Sequence, residues 1–258
     1  RPGPRLFAET GGKNGAYVSA VSDREQAISA IVQSAFGHAG QKCSALSVLV
    51  LEREVYRDDG FRAELADAAE SLFVGSAWKL ESFVTPLIRP PTGELAVALA
   101  TRERGESWLV EPRVSATNER LVSPGILLGA RRGSRAHRSE FFGPILSVFE
   151  ASDLEDGLDV LNATPYGLTA GFFGLDEIEQ ERFIERMDAG NLYLNRSLTG
   201  AVVGRQPFGG RKASGFGPGA KAGGPNYVAQ FCHWEPRTRK IPVGLPRKEH
   251  KAEGEIGR

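Results

Sequence analysis

The segment Leu46–Leu51 (LSVLVL) is a continuous apolar run, and it restricts the folds open to this chain more than any other feature. A strand with one wet face alternates apolar and polar residues; a strand apolar throughout needs cover on both faces, as in a parallel sheet flanked by helices. The neighbouring segments supply such helices. Ser22–Phe36 reads as one, with Ser22 and Glu25 as a capping-box pair and Ala27, Ile28, Ile31, Val32, Ala35 and Phe36 on one face. Gly37 and Gly40 end it. Val55–Phe73 reads as a second helix, with Phe61, Leu65, Ala68, Ala69 and Leu72 turned inward.

The alternation continues downstream. Residues 75–93 read as a long surface connection, followed by a short helix over Glu94–Arg104 and strand-like runs at Trp108–Val110 and Ile126–Leu128. Then come a strand (Ile145–Phe149), a helix (Leu154–Asn162), a strand (Leu168–Phe173), a helix (Ile178–Met187) and a strand (Leu192–Leu194). Strands alternating with helices predict an α/β fold with a largely parallel sheet. Residues 204–224 are glycine-dense and predict no regular element; Tyr227–Trp234 is expected as a last strand, and the charged tail from Arg237 as a mobile end.

Composition excludes several function classes. Lys plus Arg (32) equals Asp plus Glu (32), so no charge excess points to nucleic acid or a membrane surface. No apolar run approaches the roughly 18 residues that span a bilayer, and the first residues lack a secretory pattern. Two cysteines make no disulfide framework, which favours a reducing, cytoplasmic setting. The histidines (38, 137, 233 and 250) have no zinc-like spacing, so no metal is expected. The chain begins at Arg1 and reaches a motif almost at once, as a piece of a longer protein would.

Two residues stand out chemically. Cys43, in GHAGQKCSA, follows a helix by a Gly-rich loop and precedes the buried run, the kind of connection that gathers at a sheet edge. A thiol needs a lowered pKa or a nearby base to act at neutral pH; taken alone, a loop cysteine such as Cys43 is more often a packed small hydrophobe. Glu9, in FAETGGKN, lies about one strand, helix and loop upstream, close enough in sequence to reach the same edge. Alone, it reads rather more readily as a cap or an ion-pair partner near a chain end.

Together, ETGGKN and the later GQKCS resemble the glutamate and cysteine motifs of the aldehyde dehydrogenase superfamily. EFFGP (140–144), NATPYGLTAGFF (162–173), GNLYLN (190–195) and QPFGGRKASGFG (206–217) follow in family order, so the resemblance runs from about residue 7 to about residue 231. It implies that Cys43 attacks an aldehyde, that NAD takes the hydride, and that Glu9 activates the water that hydrolyses the resulting thioester. Glu140 and Phe142 would contact the cofactor near its nicotinamide ribose. Ser44 after the cysteine, with FGHAGQKCSA and GAKAGGPNY, is similar to the Δ1-pyrroline-5-carboxylate (L-glutamate γ-semialdehyde) dehydrogenases. Within these it most resembles the module of bifunctional bacterial proline-utilisation proteins (PutA).

That subfamily implies a small-molecule semialdehyde carrying a carboxylate. Ser44 and the backbone N–H groups of Gly200 and Ala201 would hold it as an anion nest, with Phe208 on the aliphatic stem. Lys212 and Lys221 are expected at the surface, and Cys232 as a packed small hydrophobe. The resemblance also implies an aldehyde-dehydrogenase-like catalytic domain with most of the nucleotide-binding domain absent. Residues 1–20 would end that domain, 21–225 form the catalytic domain, 226–236 a C-terminal strand suited to oligomer contacts, and 237–258 a tail. The family's oxyanion asparagine, adenine-ribose lysine and pyrophosphate turn belong to the upstream part, and no G-x-G-x-x-G follows a strand here. The chain is therefore expected to be inactive alone, while its parent is expected to be a homo-oligomer, with room for a fused proline dehydrogenase module. Two alternatives stand beside this: a dehydrogenase for another semialdehyde, and a truncated, non-catalytic assembly domain.

Overall fold

A computed structural model describes residues 6–217, 219 and 221–238. In chain order the first elements are β1 (Ala8–Glu9), β2 (Asn14–Val18), α1 (Arg24–Phe36), β3 (Leu46–Glu52), α2 (Arg53–Arg57), α3 (Asp59–Glu70) and α4 (Gly93–Ala100). There follow β4 (Ser107–Val110), β5 (Gly125–Leu128), α5 (Arg135–Arg138), β6 (Ile145–Ala151) and α6 (Leu154–Asn162). The rest are β7 (Tyr166–Gly167), β8 (Thr169–Phe173), α7 (Glu177–Arg186), β9 (Asn191–Leu194), β10 (Arg211–Lys212) and β11 (Gly215–Phe216).

The central sheet has seven strands in the order β4-β5-β6-β3-β2-β8-β9. Every pairing is parallel except β4 with β5. The LSVLVL run lies at its middle as β3, where Val48, Leu49, Val50 and Leu51 are fully buried, as a strand covered on both faces requires. The chain moves one way along the sheet from β2 through α1 to β3, and the other way from β6 through α6 to β8. Right-handed crossovers then put α1 and α6 on opposite faces. Side chains agree with this. On the α6 side Tyr17 stacks on Phe172 at 5.9 Å, and Phe172 meets Phe183 of α7 at 5.4 Å. On the other, the buried Ser34 of α1 accepts the Leu198 N–H at 3.0 Å.

Several expectations need correction. The cap of α1 is Asp23, whose carboxylate accepts the Gln26 N–H at 3.0 Å, not the Ser22–Glu25 pair; Ser22 instead donates to the Ser19 carbonyl. The helix expected over 55–73 is two, because the Asp58 carboxylate accepts the Gly60 and Phe61 N–H groups and begins α3 afresh. The last strand expected at Tyr227–Trp234 is a 3-10 turn over Val228–Phe231 in which Phe231 packs on Phe7 and Tyr227. Cys232, just after it, is exposed rather than packed. The tail expected to be mobile lies, beyond residue 238, outside the described residues. Within the glycine-dense stretch, β10 pairs with β7 and β11 with β1.

The motifs all lead into strands. Glu9–Asn14 runs into β2, Gln41–Ala45 into β3 and Glu140–Pro144 into β6. They gather at the amino edge of the parallel strands, the reverse of the carboxyl-edge arrangement usual for open α/β sheets. One electrostatic result is that α1 reaches this edge by its C-terminal end, whose dipole does not favour an anion.

Candidate active site

Cys43 is exposed at this edge. The turn before it is strained: His38 and Ala39, neither of them glycine, sit in the left-handed region at φ 55° and 53°. Gly40 follows at φ 67°, and a Cβ there would lie 2.3 Å from the Gly143 carbonyl oxygen. The cysteine loop thus rests backbone to backbone on the E-F-F-G-P segment. Gln41 joins the same pair from its side chain, donating to the Phe142 carbonyl at 3.1 Å and accepting the Ile88 N–H at 3.0 Å.

Glu9 is held from the far end of the chain. β1 pairs antiparallel with β11, Glu9 opposite Gly215, and the Thr10 N–H donates to the Ser214 carbonyl at 3.2 Å. Glu9 is exposed and lines a cavity of about 380 Å³ with Gly209, Gly210 and Arg211. Burial pushes the Cys43 thiol above its ordinary range, the N–H groups of Ser44 and Cys43 itself pull it down, and the Glu9 and Glu140 carboxylates push it up again. The three groups named from sequence therefore share one electrostatic neighbourhood. In this state Cys43 is kept as a thiol.

Glu140 is tied to the glutamate motif. Its Oε1 accepts the Gly12 N–H at 2.8 Å, and a Cβ on Gly11 would lie 1.9 Å from its Oε2, so only glycine allows the carboxyl to lie there. Burial raises this carboxyl, opposed by the Gly12 N–H and by Lys13. Lys13 is 2% exposed, its Nζ has no hydrogen-bond partner, and it lies 4.2 Å from the centroid of the Phe141 ring. Burial lowers it to about 7 against the pull of Glu140. Phe142 sits at φ 49° and stays 38% exposed, leaving a ring face open beside a cavity of about 300 Å³ lined also by Gln41, Arg89 and Leu95. A half-buried carboxyl next to an open aromatic face suits a nicotinamide ribose, so these residues fit the cofactor that the resemblance implies.

The expected substrate group is less closely drawn together. Ser44 is buried beside Cys43, and its hydroxyl has no hydrogen-bond partner among the described residues. Gly200 stands at φ 90° with open space where a Cβ would be. Phe208 exchanges hydrogen bonds with Ala222 at 2.8 Å in both directions. No hydrogen bond or ring contact among the described residues joins Gly200, Ala201 or Phe208 to Cys43. The two lysines expected at the surface are partly buried. Lys212 donates to the Asn162 carbonyl at 2.8 Å, at the C-terminal end of α6, and Lys221 donates to the Gly190 carbonyl.

Sequence reasoning overlooked Lys13, Asn14 and Gln41. All three lie inside the quoted motifs, and the signal was there: a lysine and an asparagine immediately before an apolar stretch, where solvated side chains would be out of place. Asn14 is 2% exposed, and its amide bonds the Cys43 and Ala45 carbonyls.

The chain belongs to the aldehyde dehydrogenase family, whose model matches residues 1–235. Its relatives narrow the class. It is 34% identical over 235 residues to a 1-pyrroline-5-carboxylate dehydrogenase of Bacillus subtilis, covering 91% of this chain and 44% of the relative. Proline Utilization A (PutA) from Corynebacterium freiburgense is similar in structure, with a TM-score of 0.86 at 47% identity over 93% of this chain and 25% of that one. A 1-pyrroline-5-carboxylate dehydrogenase from Thermus with bound NAD gives a TM-score of 0.76 at 33% identity, over 81% of this chain and 40% of that one. The chain thus spans less than half the length of the curated relatives it matches. The expected fold, an aldehyde-dehydrogenase-like domain with a mostly parallel sheet, present in part, is the one found.

Proposed function

We propose that this chain is the catalytic portion of an NAD-dependent dehydrogenase that oxidises L-glutamate γ-semialdehyde, the open form of Δ1-pyrroline-5-carboxylate, to L-glutamate in proline breakdown. The observation that carries the reading is the convergence of Cys43, Glu9 and Glu140, far apart in sequence, on one electrostatic neighbourhood at one sheet edge. The names of the relatives support the choice of substrate.

In this reading the Cys43 thiol first gives up its proton to solvent, and the thiolate then attacks the aldehyde carbon, forming a C–S bond while the carbonyl electrons move to oxygen. The Cys43 N–H helps to hold that oxyanion. When bound, NAD+ would supply the acceptor for the hydride lost from this carbon, which would leave a thioester on Cys43. Glu140 would accept a ribose hydroxyl and Phe142 would offer its open face, which together orient the cofactor. Glu9 then takes a proton from water, whose oxygen attacks the thioester carbon and expels the thiolate. Ser44, whose hydroxyl is free, with the Gly200 and Ala201 N–H groups, would hold the substrate carboxylate, and Phe208 its stem. The layout of 1–20 as the end of a nucleotide-binding domain and 21–225 as the catalytic domain belongs to the same proposal. So do a homo-oligomeric cytoplasmic parent and a fused proline dehydrogenase module.

The test is NADH formation by the intact protein with pyrroline-5-carboxylate against succinic semialdehyde. Preference for the first, lost in Cys43→Ala, is expected. Preference for succinic semialdehyde would overturn the substrate, and undiminished turnover in Cys43→Ala would overturn the mechanism.

A further inference from the structure

Asn14 opens β2, and its side-chain amide is fully engaged. Nδ2 donates to the Cys43 carbonyl at 2.7 Å and to the Ala45 carbonyl at 2.8 Å, while Oδ1 accepts the Thr169 N–H at 3.1 Å. Two carbonyls can only accept and a backbone N–H can only donate, so the amide fits one way round. The pairing of β2 with β3 shifts register just after Asn14, which opposes Leu46 while Gly15 opposes Val48. The residue left without a partner there is Ser47 of β3, while Asn14 stays opposite Leu46 and turns its side chain to the loop that carries Cys43.

The carbonyl it grips belongs to the peptide that ends in the Ser44 N–H, and that N–H is one of the two that stabilise the Cys43 thiolate. A peptide whose oxygen accepts a hydrogen bond is polarised and donates more strongly from its nitrogen. We infer that Asn14 is a positioning residue for the nucleophile: it grips the Cys43–Ser44 peptide by its carbonyl and holds the Ser44 N–H on the Cys43 sulfur. The charges that face the sulfur, Glu9 from β1 and Glu140 from the segment before β6, both oppose the thiolate. With α1 presenting its C-terminal end, the groups that favour the anion are the N–H groups of Ser44 and Cys43, and Asn14 grips the peptide of the first. The inference rests on Cys43 as the nucleophile of the proposed reaction, but its test needs no substrate.

The experiment follows iodoacetamide alkylation of Cys43 against pH in the intact protein carrying Cys232→Ser, with Asn14, Asn14→Leu or Asn14→Ser. Losing the grip is expected to move the midpoint up by about half to one pH unit. The rate below the midpoint then falls about three- to tenfold, while the plateau at high pH is unchanged. An unchanged midpoint in a folded variant, whatever the plateau, overturns the inference, since looser packing alone would alter the plateau. A second measurement uses unsubstituted Asn14: its side-chain amide proton resonances should follow the Cys43 titration with the same midpoint, and resonances that stay still overturn it. A protein that alkylates as expected yet oxidises no semialdehyde would refute the proposed function and leave Asn14 in this role.

Discussion

Replacing Lys13 by methionine should stabilise this protein, and by an amount that depends on pH. The amine is 2% exposed with no hydrogen-bond partner, and burial lowers it from 10.5 to about 7. That gap corresponds to about 5 kcal/mol against the charged form. The sign follows from linkage. The unfolded chain binds this proton up to about 10.5 and the folded chain only up to about 7, so stability rises with pH across that window and is lost again as pH falls. Integrated, the penalty carried by Lys13 is about 4 kcal/mol at pH 7 and about 1 kcal/mol at pH 10. The contact with the Phe141 ring returns about 1 kcal/mol while the amine is charged. The unbranched methionine fills nearly the same volume without a charge. Lys13→Met is therefore expected to gain about 3 kcal/mol at pH 7, an advantage that shrinks to about 1 kcal/mol or less by pH 10. Urea unfolding of both proteins at pH 7, 8, 9 and 10 reads this directly, because titrating groups not coupled to Lys13 cancel in the difference. A variant less stable than its parent at pH 7, or an advantage that does not narrow with pH, would refute the reasoning.

Three further outcomes are expected. Gly40→Ala must hold a left-handed φ and drive a Cβ onto the Gly143 carbonyl, so it should lose about 3 kcal/mol or more in urea unfolding. Glu9→Gln removes a negative charge that opposes the Cys43 thiolate. It should speed alkylation at pH 8 by about twofold or more, yet leave a pre-steady-state NADH burst with slow turnover; an absent burst would contradict its proposed role as base. His137 is buried, accepts the Gly133 N–H at Nδ1 and donates from Nε2 to the Val160 carbonyl, and burial lowers it from 6.5. The unfolded chain takes a proton that the folded one refuses, so Tm should drop as pH falls below about 6.5, and less so in His137→Gln.

The sheet could be read from the sequence largely because its strands are apolar throughout and lie between amphipathic helices. Leu154–Asn162 was placed to the residue, and the runs at 46, 108, 126, 145, 168 and 192 all entered one sheet. The strand left out, β2, is the central NGAYV, whose small and polar first residues give no periodicity, although all of it is buried. Asp58 divides a helical pattern because a capping carboxylate competes with helix continuation, something a count of apolar positions does not register. Tyr227–Trp234 has strand-forming residues, but its aromatic side chains pack locally instead of pairing. At the site, Cys43 and Glu9 were legible as motif residues. Lys13 and Asn14 were not, since their burial depends on Glu140, Phe141 and the cysteine loop, which arrive from elsewhere in the chain.

The pairing of β1 with β11 also bears on how the protein comes to be made. Cys43 and Asn14 lie 29 residues apart, a short loop to close. Glu9 must wait for Gly215, about two hundred residues further on, and loop-closure entropy and contact order both make such a meeting a late event. A chain emerging from the ribosome can set its thiol in place well before the carboxylate is fixed above it. Glu9 is held in place only when synthesis has passed β11, so a stalled or clipped product ending short of it would display Cys43 without the proposed base fixed nearby.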